Sequence, residues 1–329
     1  MAEPLLEVKN LKTYFQVSKD KEVKAVDGVS FRVNKGETLA VVGESGSGKS
    51  VTSLTIMGLL FSPPAKIEGS VKLEGNELIG LPDRKLDRIR GNEMSMIFQE
   101  PMTSLNPVFS IGNQISEVLV KHKHISKKQA KEETIRLLKL VGFSRAEEML
   151  KEFPHQLSGG MRQRVMIAIA MACNPKLLIA DEPTTALDVT IQQQILDLML
   201  KVKEEFQSSI LLITHDLGVV AEMADRVLVM YGGQIVEEAS AYNLFTEPKH
   251  PYTVGLLNSM PKIDSEQKQR LDAIPGSVPP AHRFPHGCRF AARCSHAKDE
   301  CTKENPDLLN ITVNHTVRCV LYKEEAVSV

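Results

Sequence analysis

Tryptophan is absent from the 329 residues, and aromatic residues of any kind make up only 5%. Long apolar runs are missing as well. The longest, "VMIAIAMAC" at 165–173, covers nine residues, whereas about 20 are needed to cross a bilayer. The sequence therefore predicts a soluble chain with no membrane span, while leaving docking on a membrane protein open. Its opening, "MAEPLLEVKNLKTYF", has neither the basic start nor the apolar stretch of a secretory signal, so the expectation is a chain not marked for export. An excess of one charge is lacking too: 40 basic against 41 acidic side chains leave a net charge of −1. No global field draws such a chain to nucleic acid or anionic lipid. Tandem repeats and low-complexity tracts are absent. Cysteines number five, which in a cytosolic chain of this length argues against a disulfide scaffold. Three of them nevertheless fall within "CRFAARCSHAKDEC" at 288–301, which turns attention to metal.

What is present points to an α/β protein. A hydrophobic content of 42% is enough at this length for about two domains of roughly 150 residues each. "LLEVKNLKTYF", "VDGVSFRVN" and "ETLAVVG" are rich in Val, Leu and Phe, broken by Gly, Asp and Asn, and predict strands. The last runs into "ESGSGKSVTSLTIMGLL", where Leu54, Met57 and Leu60 keep helical spacing. Residues 113–152 carry apolar positions three and four apart among Lys and Glu, predicting a helical insert. "KLLIAD", "SILLIT" and "RVLVMYGGQIVE" read as buried strands separated by "VTIQQQILDLMLKVKEEF" and "DLGVVAEMA". This alternation predicts a parallel sheet covered by helices. Beyond about residue 245 prolines, histidines and four of the five cysteines gather. A domain boundary is expected between Phe245 and His250, giving domains 1–245 and 246–329.

"GESGSGKS" at 43–50 fits G-x-x-x-x-G-K-[ST] between a predicted strand and a predicted helix, the context a phosphate loop requires. Gly43, Glu44, Ser45, Gly46, Ser47 and Gly48 would wrap the backbone so that successive N–H groups and the helix N-terminus face phosphates. Lys49 would neutralise the β- and γ-phosphates, and Ser50 would ligate Mg²⁺. Downstream, "KLLIADEP" ends a strand with two adjacent carboxylates. Asp181 would hold Mg²⁺, directly or through water, and Glu182 would polarise the water that attacks the γ-phosphorus. Alone, an acidic pair at a strand end is more often simply solvated.

"LSGGMRQR" at 157–164 resembles the signature of ATP-binding-cassette (ABC) ATPases, and the motifs around it follow that family's order. The phosphate loop precedes Gln99 in "MIFQEP", the signature, "LLIADEP", the "TALD" containing Asp188, and His215 in "LLITHD". The resemblance implies an ABC-type P-loop NTPase with a RecA-like core sheet, an antiparallel β subdomain and a helical signature subdomain at about 100–164. It also implies a head-to-tail dimer with ATP sandwiched between one chain's phosphate loop and the partner's signature. Ser158, Gly159 and Gly160 would then serve the opposite chain's nucleotide, and Asp188 would belong to the same nucleotide-binding set. Gln99 would sense Mg²⁺ and the attacking water, and its loop would touch the transmembrane subunit. His215 would contact the γ-phosphate and position the water with Glu182. For adenine stacking the resemblance favours Phe15 over Tyr14, with a core role for Phe15 the alternative.

"EPKHPYTVGLL", "IPGSVPP", "GCRFAARC" and "HTVRC" look like the C-terminal extension of oligopeptide and dipeptide importer ATPases, and "FQEPMTSLNPV" and "ADEPTTALDVTIQ" are wordings typical of that subfamily. The implied role is ATP hydrolysis that powers peptide import, at the cytoplasmic face of the membrane. The implied partners are two transmembrane permease subunits, a second homologous ATPase and an extracytoplasmic peptide-binding protein. Nickel or other small-cargo importers share much of this pattern, and a nucleic-acid-associated ABC ATPase is the reading from another class; neutral charge and a single cassette argue for no nucleic acid partner. Cys288, Cys294, Cys301 and Cys319 stand in the spacing C-x5-C-x6-C-x17-C, wider than the C-x2-4-C pairs usual for zinc. Longer arcs suit the larger span of a cubane. In ATPases of the type resembled the four cysteines ligate a 4Fe-4S cluster, with zinc and idle thiols as alternatives. Cys173, far off in an apolar helix, reads as core.

Overall fold

In the computed structural model, residues 4–18, 21–100, 104–185, 187–260 and 273–327 are described. Residues 101–103 of the "FQEPMTSLNPV" stretch and Ala186 of "TALD" lie outside them. In chain order the strands are β1 (Leu6–Ser18), β2 (Lys21–Val33), β3 (Thr38–Val42), β4 (Ala65–Leu73), β5 (Asn76–Glu77) and β6 (Met94–Ile97). They continue with β7 (Leu177–Asp181), β8 (Ser209–Thr214), β9 (Arg226–Tyr231), β10 (Gln234–Ser240), β11 (Leu309–Thr312) and β12 (His315–Val317). The chain divides into two units, one comprising Met1–Leu5, Val33–Glu37 and Gly80–Ile213, the other Leu6–Arg32, Thr38–Ile79 and Thr214–Val329.

In the first unit β6, β7 and β8 run parallel, in that order. Every residue of β7 and β8 is buried, as expected of strands covered on both faces. The predicted helical insert comprises helices Ile111–Lys123, Lys127–Leu140 and Ala146–Met149. Ser126 and Gln129 close a reciprocal capping box at the start of the second of these, satisfying two otherwise orphaned N–H groups. Cys173 is buried just beyond the helix Gly159–Met171.

The second unit holds an antiparallel sheet in the order β2-β1-β4-β5. Along β1 the buried side chains switch from Leu6 and Val8 to Leu11 and Thr13. The cause is a register shift between Lys9 and Lys12, where Asn10 has a φ of 45°, so one extra residue reverses the alternation. Opposite this bulge a Cβ on Gly69 would lie 2.5 Å from the Asn10 carbonyl oxygen, which only glycine avoids. Thr13 thereby faces the helix Lys49–Ile56, its hydroxyl 2.9 Å from that of Thr55.

The same unit also adds antiparallel strands beside the expected parallel ones. β3 and β9 are parallel, but β9, β10, β12 and β11 follow as antiparallel neighbours. The reason lies in "YGGQ": Gly232 and Gly233 have φ of 55° and 82°, and two successive positive φ values make the tight turn that folds a strand back on itself. A buried carboxylate anchors the outer strands. Glu237 on β10 is 0% exposed and accepts from Lys249 N at 2.7 Å, His250 N at 2.8 Å and His315 Nε2 of β12 at 2.7 Å. Burial pushes the His250 imidazole down to about 4, in keeping with a neutral ring whose Nδ1 accepts from Tyr252 N at 3.1 Å.

Candidate nucleotide and thiol sites

β3 leads straight into the phosphate loop, which ends where Gly48 caps the helix Lys49–Ile56. Gly43, Gly46 and Gly48 have φ of 154°, 81° and 101°. A Cβ on Gly43 would stand 2.2 Å from the Met230 carbonyl oxygen and one on Gly48 2.4 Å from that of Ala25, whereas one on Gly46 meets nothing within 4 Å. Two glycines thus let the loop press on neighbouring backbone, and the third serves conformation alone. Lys49 is 5% exposed, and its Nζ donates to the carbonyls of Gly43 at 2.6 Å and Glu44 at 3.1 Å. The buried Ser47 hydroxyl has no hydrogen-bond partner among the described residues. A buried lysine, an unsatisfied hydroxyl and a helix start form a donor set suited to a phosphate-type anion. Ser45 is exposed and Ser50 half-buried at the start of the helix.

Glu44 within this loop is gripped from far along the chain. Its carboxylate accepts from Arg293 Nη1 at 2.6 Å and Nη2 at 3.0 Å, and its N–H donates to Tyr252 Oη at 2.8 Å. Nothing in the local sequence flags these two residues, which stand 249 and 208 positions away. A second link joins Arg289 to Asp27, which also accepts from the Tyr14 hydroxyl. Burial, reinforced by the Asp27 carboxylate, pushes the Tyr14 phenol up. Phe15 is half-buried on β1 opposite Ala65 of β4. His215 is exposed after β8, one residue before Asp216 caps the helix Leu217–Met223.

In the first unit Asp181 is buried at the end of β7, 4% exposed. The chain turns sharply at Glu182, whose φ is 48°, a left-handed conformation unfavourable for a side chain of this size. Its N–H donates to the Ile213 carbonyl at 2.8 Å. Gln99 Nε2 and Thr185 Oγ1 both donate to Glu182 Oε2, each at 2.9 Å. Gln99 and Glu182, 83 residues apart, are thus in direct contact. Ser158 and Asp188 both act as helix N-caps, Ser158 accepting from Met161 N at 3.3 Å and Asp188 from Ile191 N at 3.0 Å. A Cβ on Gly160 would come within 2.8 Å of Ile191 Cγ2, so the helices starting at Gly159 and Val189 meet closely there. Gly159 is exposed beside it.

Cys288, Cys294, Cys301 and Cys319 line one pocket in the second unit, together with Phe290 and His250. Cys288 N donates to the Cys301 carbonyl at 2.7 Å. A Cβ at Gly287 would fall 2.1 Å from that same oxygen, which explains glycine before Cys288. Burial pushes the Cys288 and Cys294 thiols up, and raises Cys319 to about 11, with repulsion from the other cysteines adding to each. A cationic centre would reverse that balance by favouring thiolates. Among the described residues no group of three or more His, Cys, Asp or Glu side chains is placed to hold a metal ion.

Comparison with solved structures defines the class. The structure titled as a post-hydrolysis dimer of the ATP-binding cassette MJ0796 bound to ADP and Pi matches with a TM-score of 0.64 at 28% identity, covering 72% of this chain and 98% of that one. The cbiO1 cassette from Clostridium perfringens, part of the ABC transporter complex cbiONQ, matches with a TM-score of 0.63 at 25% identity, covering 75% and 92%. The fold is that of an ABC ATPase cassette. Residues 26–185 match the ABC transporter family model, and 236–301 match that of the oligopeptide/dipeptide transporter C-terminal region. The oligopeptide transport ATP-binding protein AppD of Bacillus subtilis is 62% identical over 98% of both chains. OppD of Bacillus subtilis is 52% identical over 98% of this chain and 90% of its own, and OppD of Escherichia coli 50% identical over 93% and 90%. The chain belongs to the ABC transporter family, in its oligopeptide/dipeptide transporter branch.

Proposed function

We propose that this chain is the ATP-hydrolysing subunit that powers import of oligopeptides or dipeptides through an ABC transporter. It works peripherally at the cytoplasmic face of the membrane, with two permease subunits, a second homologous ATPase and an extracytoplasmic peptide-binding protein. The observation that carries this reading is whole-chain: both family matches occur in one chain that is 62% identical to AppD over 98% of each. Each site residue takes the role of the motif in which it stands. The loop from Gly43 to Gly48 holds the ATP phosphates, Lys49 neutralises them, and Phe15 stacks on the adenine. By the motifs in which they stand, Ser50, Asp181 and Gln99 would be the Mg²⁺ ligands, and the bound ion would supply charge neutralisation to the phosphates. Glu182 accepts a proton from the attacking water, which His215 helps to orient. Ser158, Gly159 and Gly160 bind the γ-phosphate carried by the partner ATPase, and Asp188 orders the helix start beside them.

The four cysteines would hold a 4Fe-4S cluster that staples the extension. Four soft thiols lining one pocket support this reading. Hydrolysis by the isolated chain should be weak and should rise on reconstitution with permeases and the second ATPase, then rise again with peptide-loaded binding protein. Stimulation by DNA or ribosomes, with none by the loaded binding protein, would overturn the importer reading.

A further inference from the structure

The second residue of the phosphate loop is held at its N–H, its carbonyl and its carboxylate. Lys49 Nζ takes the Glu44 carbonyl at 3.1 Å, Tyr252 Oη takes its N–H at 2.8 Å, and Arg293 takes both carboxylate oxygens at 2.6 and 3.0 Å. The two distant holders are themselves buried and packed. The Arg293 side chain is only 5% exposed, and its Nε donates to the Pro275 carbonyl at 2.9 Å. Its guanidinium lies 5.8 Å from the Tyr231 ring centroid and 6.0 Å from that of Phe290. Tyr252 is fully buried, its ring 4.8 Å from Tyr231 and 5.4 Å from Phe290.

A loop with three positive-φ glycines has much conformational freedom to lose on gripping a ligand. A bidentate arginine–carboxylate pair fixes both position and orientation, and a loop ordered beforehand binds more tightly because less entropy is lost on binding. We propose that Arg293 and Tyr252 are positioning residues for nucleotide binding: from the C-terminal extension they hold Glu44 so that the phosphate loop keeps its ligand-ready shape. The pair also neutralises Arg293, so it acts through geometry and adds no net charge near the phosphates. This inference rests on the phosphate-loop reading of residues 43–50.

The test measures the Kd of a fluorescent ATP analogue with Mg²⁺ on the full chain, alongside thermal unfolding of each variant. Arg293→Gln and Glu44→Gln should each weaken binding about tenfold, the scale on which disturbing a positioning group acts. The double variant should be no weaker than either single one, since both remove the same contact. Tyr252→Phe keeps the packed ring, loses only the acceptor for Glu44 N–H, and should weaken binding about fivefold. In the assembled transporter the KM for ATP should rise in all three while kcat is largely spared. Should Arg293→Gln fail to fold, Glu44→Gln and Tyr252→Phe decide. Lys49→Ala separates the two readings. If it abolishes binding while the other variants stay within about twofold of wild type, the positioning role is wrong and the phosphate loop stands. If Lys49→Ala binds like wild type, the phosphate-loop reading itself falls, and this inference with it.

Discussion

Replacing Glu182 with Gln separates proton acceptance from everything else this side chain does. Two hydrogen bonds to Glu182, from Gln99 Nε2 and Thr185 Oγ1, end on the same oxygen, Oε2, at 2.9 Å each. A glutamine carbonyl oxygen can take that place and keep both donors satisfied, with the amide nitrogen turned to the other side. The backbone, at a φ of 48°, is equally unfavourable for Glu and Gln, so the substitution adds no strain of its own. Stability and nucleotide affinity should therefore change by less than about 1 kcal/mol. Turnover should not survive, because a general base contributes about 10²- to 10⁴-fold, or roughly 3–5 kcal/mol of barrier. The assay is ATP hydrolysis by the reconstituted transporter with the partner's site also disabled, together with retention of bound ATP. Hydrolysis at the wild-type rate would refute the assignment of Glu182 as base. A large fall in affinity or melting temperature would refute the argument that its hydrogen bonds survive the change.

Glu237→Ala removes the acceptor shared by Lys249 N, His250 N and His315 Nε2 and should destabilise the fold by about 3–5 kcal/mol; a urea midpoint shift worth less than about 1 kcal/mol would contradict its role as an anchor. Gly48→Ala should abolish nucleotide binding, since its Cβ would come 2.4 Å from the Ala25 carbonyl oxygen, and unchanged ATP-analogue affinity would count against the loop geometry. Protein purified without oxygen should be brown, absorb near ~400 nm and carry about four irons per chain, with iron lost when Cys288, Cys294, Cys301 or Cys319 becomes Ser. Colourless protein with one stoichiometric zinc would replace the cluster by the zinc alternative, and iron unchanged after Cys319→Ser would remove Cys319 from the ligand set.

Local chemistry is what the sequence by itself determined. The buried strands β3, β7 and β8 were legible because strands covered on both faces must be apolar throughout. The phosphate loop was legible because backbone that must turn through positive φ needs glycine at set positions, and the motif order carried the family resemblance. Irregular features escaped that logic. The bulge at Asn10 reverses which side of β1 is buried, and only its pairing across from Gly69 exposes it. The hairpin at Gly232 and Gly233 breaks the parallel expectation although the strands on either side look equally apolar. Contacts over long separations were decided by the tertiary structure alone. Gln99 meets Glu182, and Arg293 and Tyr252 meet Glu44, across 83, 249 and 208 residues. No periodicity or spacing encodes such meetings, because an arginine in a cysteine-rich tail has the same local preferences whether it faces solvent or a carboxylate. Its partner is set by the packing of Tyr231, Tyr252 and Phe290, which brings the guanidinium to the loop.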